Sequence, residues 1–250
     1  SVVRPTFEQL APGFLIDGAE AEFGNPSLDP LRSANFDLGI EHRMGYAGAL
    51  SAYLFHKQIK DFVYQTDVAG TGRWAGFDEA ITYENGSKAQ VTGLELAYTQ
   101  AFRQLPAPWN GLLLSANATF SHSKAWIEGS DGTSQVERAI PLPSQSDRSF
   151  NLVLGYEARP WSLRLAMSHK SPYLLEVTDI GDKDADHYVD AQTHVDFAAH
   201  YTLRDNLQLV FEALNVNDEP YYVYAGSSDR NAQYETYGRT FKLGLKLALR

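Results

Sequence analysis

Cysteine is missing from all 250 residues, which excludes a disulfide scaffold and any thiolate metal site while leaving the compartment open. Missing too is any apolar run near the roughly 20 residues that a membrane helix needs. Helix-period stretches of useful length are absent. Positive charge is scarce: 21 Lys and Arg stand against 31 Asp and Glu, a net charge of -10. That balance argues against nucleic acid, whose partners are basic. Neither a G-x-S-x-G nucleophile elbow nor a G-x-x-x-x-G-K-[ST] phosphate loop occurs. The residues therefore point away from an enzyme, and no cofactor is expected. No secretory leader stands at Ser1, which fits a mature chain, a fragment or a cytosolic protein.

What the chain does have is alternation. Near its C-terminus Phe241, Leu243, Leu245, Leu247 and Leu249 alternate with Lys242, Gly244, Lys246, Ala248 and Arg250. A period of two puts each set on its own face of a sheet. One face is then an apolar stripe and the other small or cationic, as in an outer-membrane barrel strand with lipid outside and water inside. Such strands commonly close on an aromatic residue, and Arg250 stops one residue short of that pattern. Residues 111–126 alternate too, with Leu112, Leu114, Ala116, Ala118 and Phe120 set against Ser115, Asn117, Thr119, Ser121 and Ser123. In all, alternation predicts nine strands, near 35–44, 48–64, 88–102, 111–126, 149–158, 160–170, 191–203, 206–217 and 236–250.

The connections alternate in length. Short turns fall at Gly45–Ala47, Arg103–Asn110, Arg159–Pro160 and Arg204–Asp205, and long loops at 65–87, 127–148, 171–190 and 218–235. Compact soluble domains seldom carry loops beyond about 12–15 residues. Outer-membrane barrels pair short inner turns with long outer loops. The aromatic content, 14 Tyr, 13 Phe and 4 Trp, suits strands and interfacial girdles alike.

Several segments together resemble the barrel of TonB-dependent receptors. Residues 25–43, opening Asn25-Pro26-Ser27-Leu28-Asp29-Pro30, are similar to that family's NP-x-L-x-P-E-x-S-x-N-x-E-x-G segment, with Leu31 in place of the usual Glu. Phe55, Lys57, Ile59, Lys60, Asp61 and Phe62 resemble its F-x-K-x-I-x-D-F strand, and Arg4-Pro5-Thr6-Phe7 its R-P-S-F stretch. Further likenesses are Val91-Thr92-Gly93-Leu94-Glu95-Leu96, the stretch from Glu212 to Pro220, and Tyr237-Gly238-Arg239-Thr240-Phe241. The resemblance implies an all-β fold: an antiparallel transmembrane β-barrel portion, about nine to ten strands of a larger plugged barrel of about 22. Residues 1–250 would be the C-terminal part of the receptor barrel, with the plug domain and the first part of the barrel outside this chain. It also implies an outer-membrane location, contact with the lipid bilayer, and active nutrient transport driven by the TonB-ExbB-ExbD system through the plug. The ligand would be a small molecule or oligosaccharide. The likeness is nearest to receptors of Xanthomonas- and Caulobacter-like bacteria, many associated with carbohydrate uptake. Carbohydrate is thus the first expectation and an iron-siderophore complex the second.

Candidate binding residues lie in the expected outer loops. Tyr221, Tyr222, Tyr224, Arg230 and Tyr234 share loop 218–235; Trp74 and Tyr83 lie in loop 65–87, and Trp126 follows a strand. Aromatic faces beside planar polar groups suit sugar rings, which expose apolar C–H faces and a hydroxyl rim. The same residues also suit a membrane-interface belt. Asp182, Asp184 and Asp186 have a D-x-D-x-D spacing that could offer oxygens to Ca²⁺. They lack the Gly and Glu of an EF-hand, so a solvated acidic loop stands beside that reading and no metal is assigned. Lumen-side Glu95, Asp196, Glu212, Lys242 and Lys246 are placed to face a plug or plain water. A soluble all-β carbohydrate-binding module explains the aromatics without a missing half. It leaves the loop rhythm unexplained. A passive porin shares the barrel and differs in having no plug.

Overall fold

The computed structural model describes residues 1–130 and 135–248; Leu249 and Arg250, the end of the terminal stripe, lie outside that description. A two-residue strand β1 (Val2–Val3) leads into a one-turn helix α1 (Phe7–Leu10) and a hairpin of β2 (Phe14–Asp17) and β3 (Glu20–Phe23). The next strands are β4 (Leu31–Arg43), β5 (Ala49–Asp67), β6 (Glu79–Ala101) and β7 (Leu112–Ser130), with β8 (Gln135–Ile140) folded back along the end of β7. After β9 (Arg148–Ala158) and β10 (Trp161–Lys170) comes a small hairpin, β11 (Tyr173–Glu176) and β12 (His187–Val189). Strands β13 (Gln192–Arg204) and β14 (Leu207–Leu214) follow, then β15 (Tyr221–Ala225), β16 (Asn231–Glu235) and β17 (Thr240–Leu247). No helix is long and apolar enough to cross a membrane among the described residues, which says nothing of a barrel.

All nine expected strands form one antiparallel wall, in the order β4-β5-β6-β7-β9-β10-β13-β14-β17, with β1 beside β4. Short turns force β4–β5, β6–β7, β9–β10 and β13–β14 side by side, and the strands across each long loop pair as well. Register sets the two faces. Leu38 opposes Leu54, Leu54 opposes Leu94, and Leu94 opposes Phe120. Further along the wall, Leu114, Leu154, Leu165, Phe197, Ala213 and Phe241 form another such row. Much of this face is bare: Leu38 is 61% and Leu243 74% exposed. A soluble sheet would cover such a belt; a bilayer does so for a barrel. The other face carries Asn35, Asp37, Glu95, Asn117, Thr119, Asn151, Asp196 and Glu212. The wall is open: among the described residues β17 pairs only with β14, and β4 only with β5 and, at its first two residues, β1.

Two family-like segments meet across this wall. Phe55 of β5 opposes Gly93 of β6, and a Cβ on Gly93 would collide with Phe55 Cζ and come within 2.6 Å of the Phe120 carbonyl oxygen. Phe62 covers Gly86 in the same manner. Each aromatic ring fills the place of the side chain its partner lacks, which pins the register. The segment from Leu214 to Glu219 is a clasp. Asn215, at φ 52°, donates through Nδ2 to the Glu219 and Gly238 carbonyls and accepts from Glu219 N, while Asp196 accepts from its backbone N–H. Asn tolerates left-handed backbone and can serve both as donor and acceptor, so few residues could replace it.

The four long loops are corrected in part: much of each is strand. β5 and β6 extend into 65–87, β7 and β8 into 127–148, and the other two hold the β11–β12 and β15–β16 hairpins. Asp61, at φ 55°, shows why alternation loses the first of these. Below it the odd-numbered Ile59 is buried, and above it the even-numbered Phe62 and Tyr64 are. The period-two pattern changes phase at a single left-handed residue. The compact core lies at this end of the molecule, where Ile59, Phe62, Tyr64, Val91, Ala125, Ile127, Leu174 and Val177 pack together.

Candidate functional site

Hairpins β11–β12 and β15–β16 join edge to edge through β12 and β15, giving a four-stranded sheet separate from the wall. Leu174 and Val177 seat it on Ile59 and Val91, which lie on the polar side of the wall. The small sheet therefore stands over the inward face, at the long-loop end. A buried ion pair fixes one margin. Arg138 Nη2 donates to both Asp186 carboxylate oxygens at 2.8 Å, and Nη1 donates to the Asp179 carbonyl at 3.1 Å. A second pair sits beside it, with His187 Nδ1 2.5 Å from Glu176 Oε1. The Glu176 hydrogen bond holds His187 protonated above its ordinary range, against the opposing pull of burial. Burial, then Asp67 and Glu20, push the Glu79 carboxyl up as well.

Four tyrosines make a continuous surface on this sheet. Tyr188 opposes Tyr224 in register, their rings stacked at 5.6 Å with planes 13° apart. Tyr222 lies 6.2 Å from Tyr224 and 6.2 Å from Tyr234, and its hydroxyl donates to the Ser228 carbonyl. The ladder runs from half-buried Tyr188 to Tyr234, which is 59% exposed. It offers ring faces with a polar margin from Arg230, whose Nη2 donates to the Asp184 carbonyl at 2.6 Å.

The other candidates lie elsewhere. Tyr221 faces away from this ladder, on the side of buried Val223. Trp74 is 9% exposed, stacked on Phe23 at 4.4 Å and covered by the Arg73 guanidinium at 4.6 Å. It packs the N-terminal hairpin rather than opening to solvent. Tyr83 is half-buried on β6, its carbonyl accepting from Asn25 Nδ2. Trp126 lies on the lipid side of the wall, level with Lys88. Asp186 is engaged by Arg138, Asp182 accepts from the Asp184 amide, and no three His, Asp or Glu side chains converge among the described residues. Lys242 stands 3.9 Å from Glu212 on the inward face.

Sequence reasoning missed Tyr188, His187 and Arg138. His187-Tyr188-Val189 is too short to show a period, and it becomes a strand only because β15 pairs with it. The signal was there in kind: an aromatic and a β-branched residue side by side in an acidic loop.

The family described as "TonB dependent receptor-like, beta-barrel" matches residues 1–216. Comparison with curated protein sequences gives no match. Solved structures share the fold. The ferric enterobactin receptor of Pseudomonas aeruginosa in complex with enterobactin aligns at 21% identity and TM-score 0.59, over 99% of this chain and 37% of that one. The copper transporter OprC aligns at 18% identity and TM-score 0.63, over 99% and 35%. The siderophore receptor PiuA of Acinetobacter baumannii aligns at 16% identity and TM-score 0.59, over 89% and 29%. The chain spans about a third of the length of these structures. With its family match, outward apolar belt and long-loop rhythm, the chain belongs to the β-barrel domain of the TonB-dependent receptors, proteins of the bacterial outer membrane.

Proposed function

We propose that the chain supplies part of the wall and outer mouth of a receptor that imports a carbohydrate by TonB-dependent active transport. In this reading residues 1–250 are the C-terminal part of the barrel, and the plug and remaining strands lie outside the sequence given. The TonB-ExbB-ExbD system would act through that plug. The observation that carries the substrate class is the tyrosine ladder of Tyr188, Tyr224, Tyr222 and Tyr234. Stacked, partly exposed phenol rings suit the C–H faces of sugars, and the hydroxyls suit their rims.

The siderophore reading draws on neighbours whose names include enterobactin and siderophore receptors. Charge counts against it here. Asp179, Asp182, Asp184, Asp190 and Asp229 outnumber Lys183 and Arg230 around the small sheet, so an anionic ferric complex meets a field of its own sign. Copper(I) favours soft sulfur donors. The chain has no cysteine, and its two methionines, Met44 and Met167, sit at a short turn and on the lipid side.

Calorimetric titration of the full-length receptor with neutral oligosaccharides and with ferric siderophores tests the reading. Oligosaccharide binding is expected, and Tyr224→Ala with Tyr222→Ala should weaken it about tenfold, the scale of one or two lost aromatic stacks. Siderophore binding with no oligosaccharide response would overturn it.

A further inference from the structure

Five cations stand on the lipid side of the wall, on five neighbouring strands. They are Arg32 on β4, Lys60 on β5, Lys88 on β6, Lys124 on β7 and Arg148 on β9, all exposed. Register fixes the side. Arg32 opposes Lys60, Lys60 opposes Lys88, and Lys88 opposes Trp126. Lys124 precedes Trp126 by two positions and so shares its face. Arg148 opposes Phe120 of the apolar belt. On every one of these strands the cation lies towards the long-loop end of the apolar stripe. They form an arc along the upper rim of the belt.

Among the described residues the ion pairs involve Arg138, Arg159, His187, Arg239 and Lys242, and none of the five. On the same face Glu128 and Glu137 oppose one another farther out on β7 and β8. In a chain of net charge -10, a run of five neighbouring cations costs repulsion unless an anion answers it. Trp126 strengthens the arrangement. The Lys88 and Lys124 ammonium groups lie 4.8 and 4.9 Å from its ring centre. The one indole therefore holds two charges less than 10 Å apart, at the depth where Trp settles in a bilayer.

We propose that this arc is a lateral lipid site, binding the phosphate groups of phosphorylated lipids in the outer leaflet. Continuity with the apolar belt selects a lipid over a soluble anion, since acyl chains would lie on Leu38, Leu54, Leu94 and Phe120 while the headgroup meets the cations. Strand spacing of about 4.8 Å spreads Arg32, Lys60 and Lys88 over roughly 10 Å, enough for a headgroup carrying two phosphates. The inference rests on the outward face being lipid-covered.

The test uses the full-length receptor in detergent micelles, titrated with bisphosphorylated lipid A, monophosphoryl lipid A and a neutral glycolipid. Binding should weaken in that order. Lys88→Gln should cost about fivefold for the bisphosphorylated lipid, and the Lys60→Gln, Lys88→Gln, Lys124→Gln triple tenfold or more. Arginine at the same three positions should keep the affinity, and neutral-glycolipid binding should not move. Equal affinity for all three lipids, or a triple variant that keeps its folded gel mobility and its lipid preference, would overturn the proposal. If the triple does not fold, Lys88→Gln alone decides. A receptor that inserts into vesicles but ignores phosphate fails this inference only, whereas one that does not insert fails the lipid-facing reading itself.

Discussion

His187 shows what one titrating side chain can do on a small sheet. Its hydrogen bond to Glu176 ties β12 to β11 across a bulge in their register, and that bond raises its affinity for a proton above the ordinary value of 6.5. A group that binds protons more tightly when folded stabilises the fold when protonated. The contribution is complete below that ordinary value and disappears as pH rises through the raised one. Glu79 acts in the same direction at lower pH, in the carboxylate range. Amides of β11 and β12 in the full-length receptor should therefore exchange several-fold more slowly at about pH 6 than at about pH 8, after correction for intrinsic rates. His187→Gln should flatten the difference. If the variant keeps the full difference, another group is responsible.

At the scale of the strand, the wall was legible and the small sheet was not. β7 reads from its sequence because Leu112 to Phe120 face lipid while Ser115 to Ser121 face water, so solvent writes the pattern. In β15, Tyr222 and Tyr224 meet other tyrosines on one face while Val223 is buried on the other. Both faces are apolar, and alternation vanishes. The tyrosines of 218–235 were visible as candidates, yet their partner Tyr188 was hidden in another loop. Trp74 shows the converse: an aromatic in a loop whose burial only the fold reveals. Register within the wall rests on pairs such as Phe55 with Gly93. Gly93→Leu should push the Phe55 ring aside and cost about 1–3 kcal/mol, read as a lower temperature for loss of the folded gel band. Combining it with Phe55→Ala should recover only the part due to the ring, because the Phe120 carbonyl still crowds the new side chain. A Gly93→Leu protein as stable as the parent would show that the ring does not set the register.

For the whole molecule the open wall dominates. Two long edges and an apolar belt face outward, with Phe36, Leu38, Ile40, Leu243 and Leu245 each more than half exposed. The 250-residue chain alone should associate in detergent-free buffer through these surfaces. Size-exclusion chromatography with light scattering checks this, and a stable monomer without detergent would favour a soluble module instead. The strand order also bears on how the protein is made. Along the wall every strand pairs with one beside it in sequence, so each hairpin can add to the last as soon as it is available. The small sheet cannot grow that way. Its two hairpins are separated in the chain by β13 and β14, and β12 has to wait until both have been laid down before β15 can reach it. The small sheet thus closes only after the strand pair between its hairpins exists, and a chain halted at β14 would present most of a wall with no mouth.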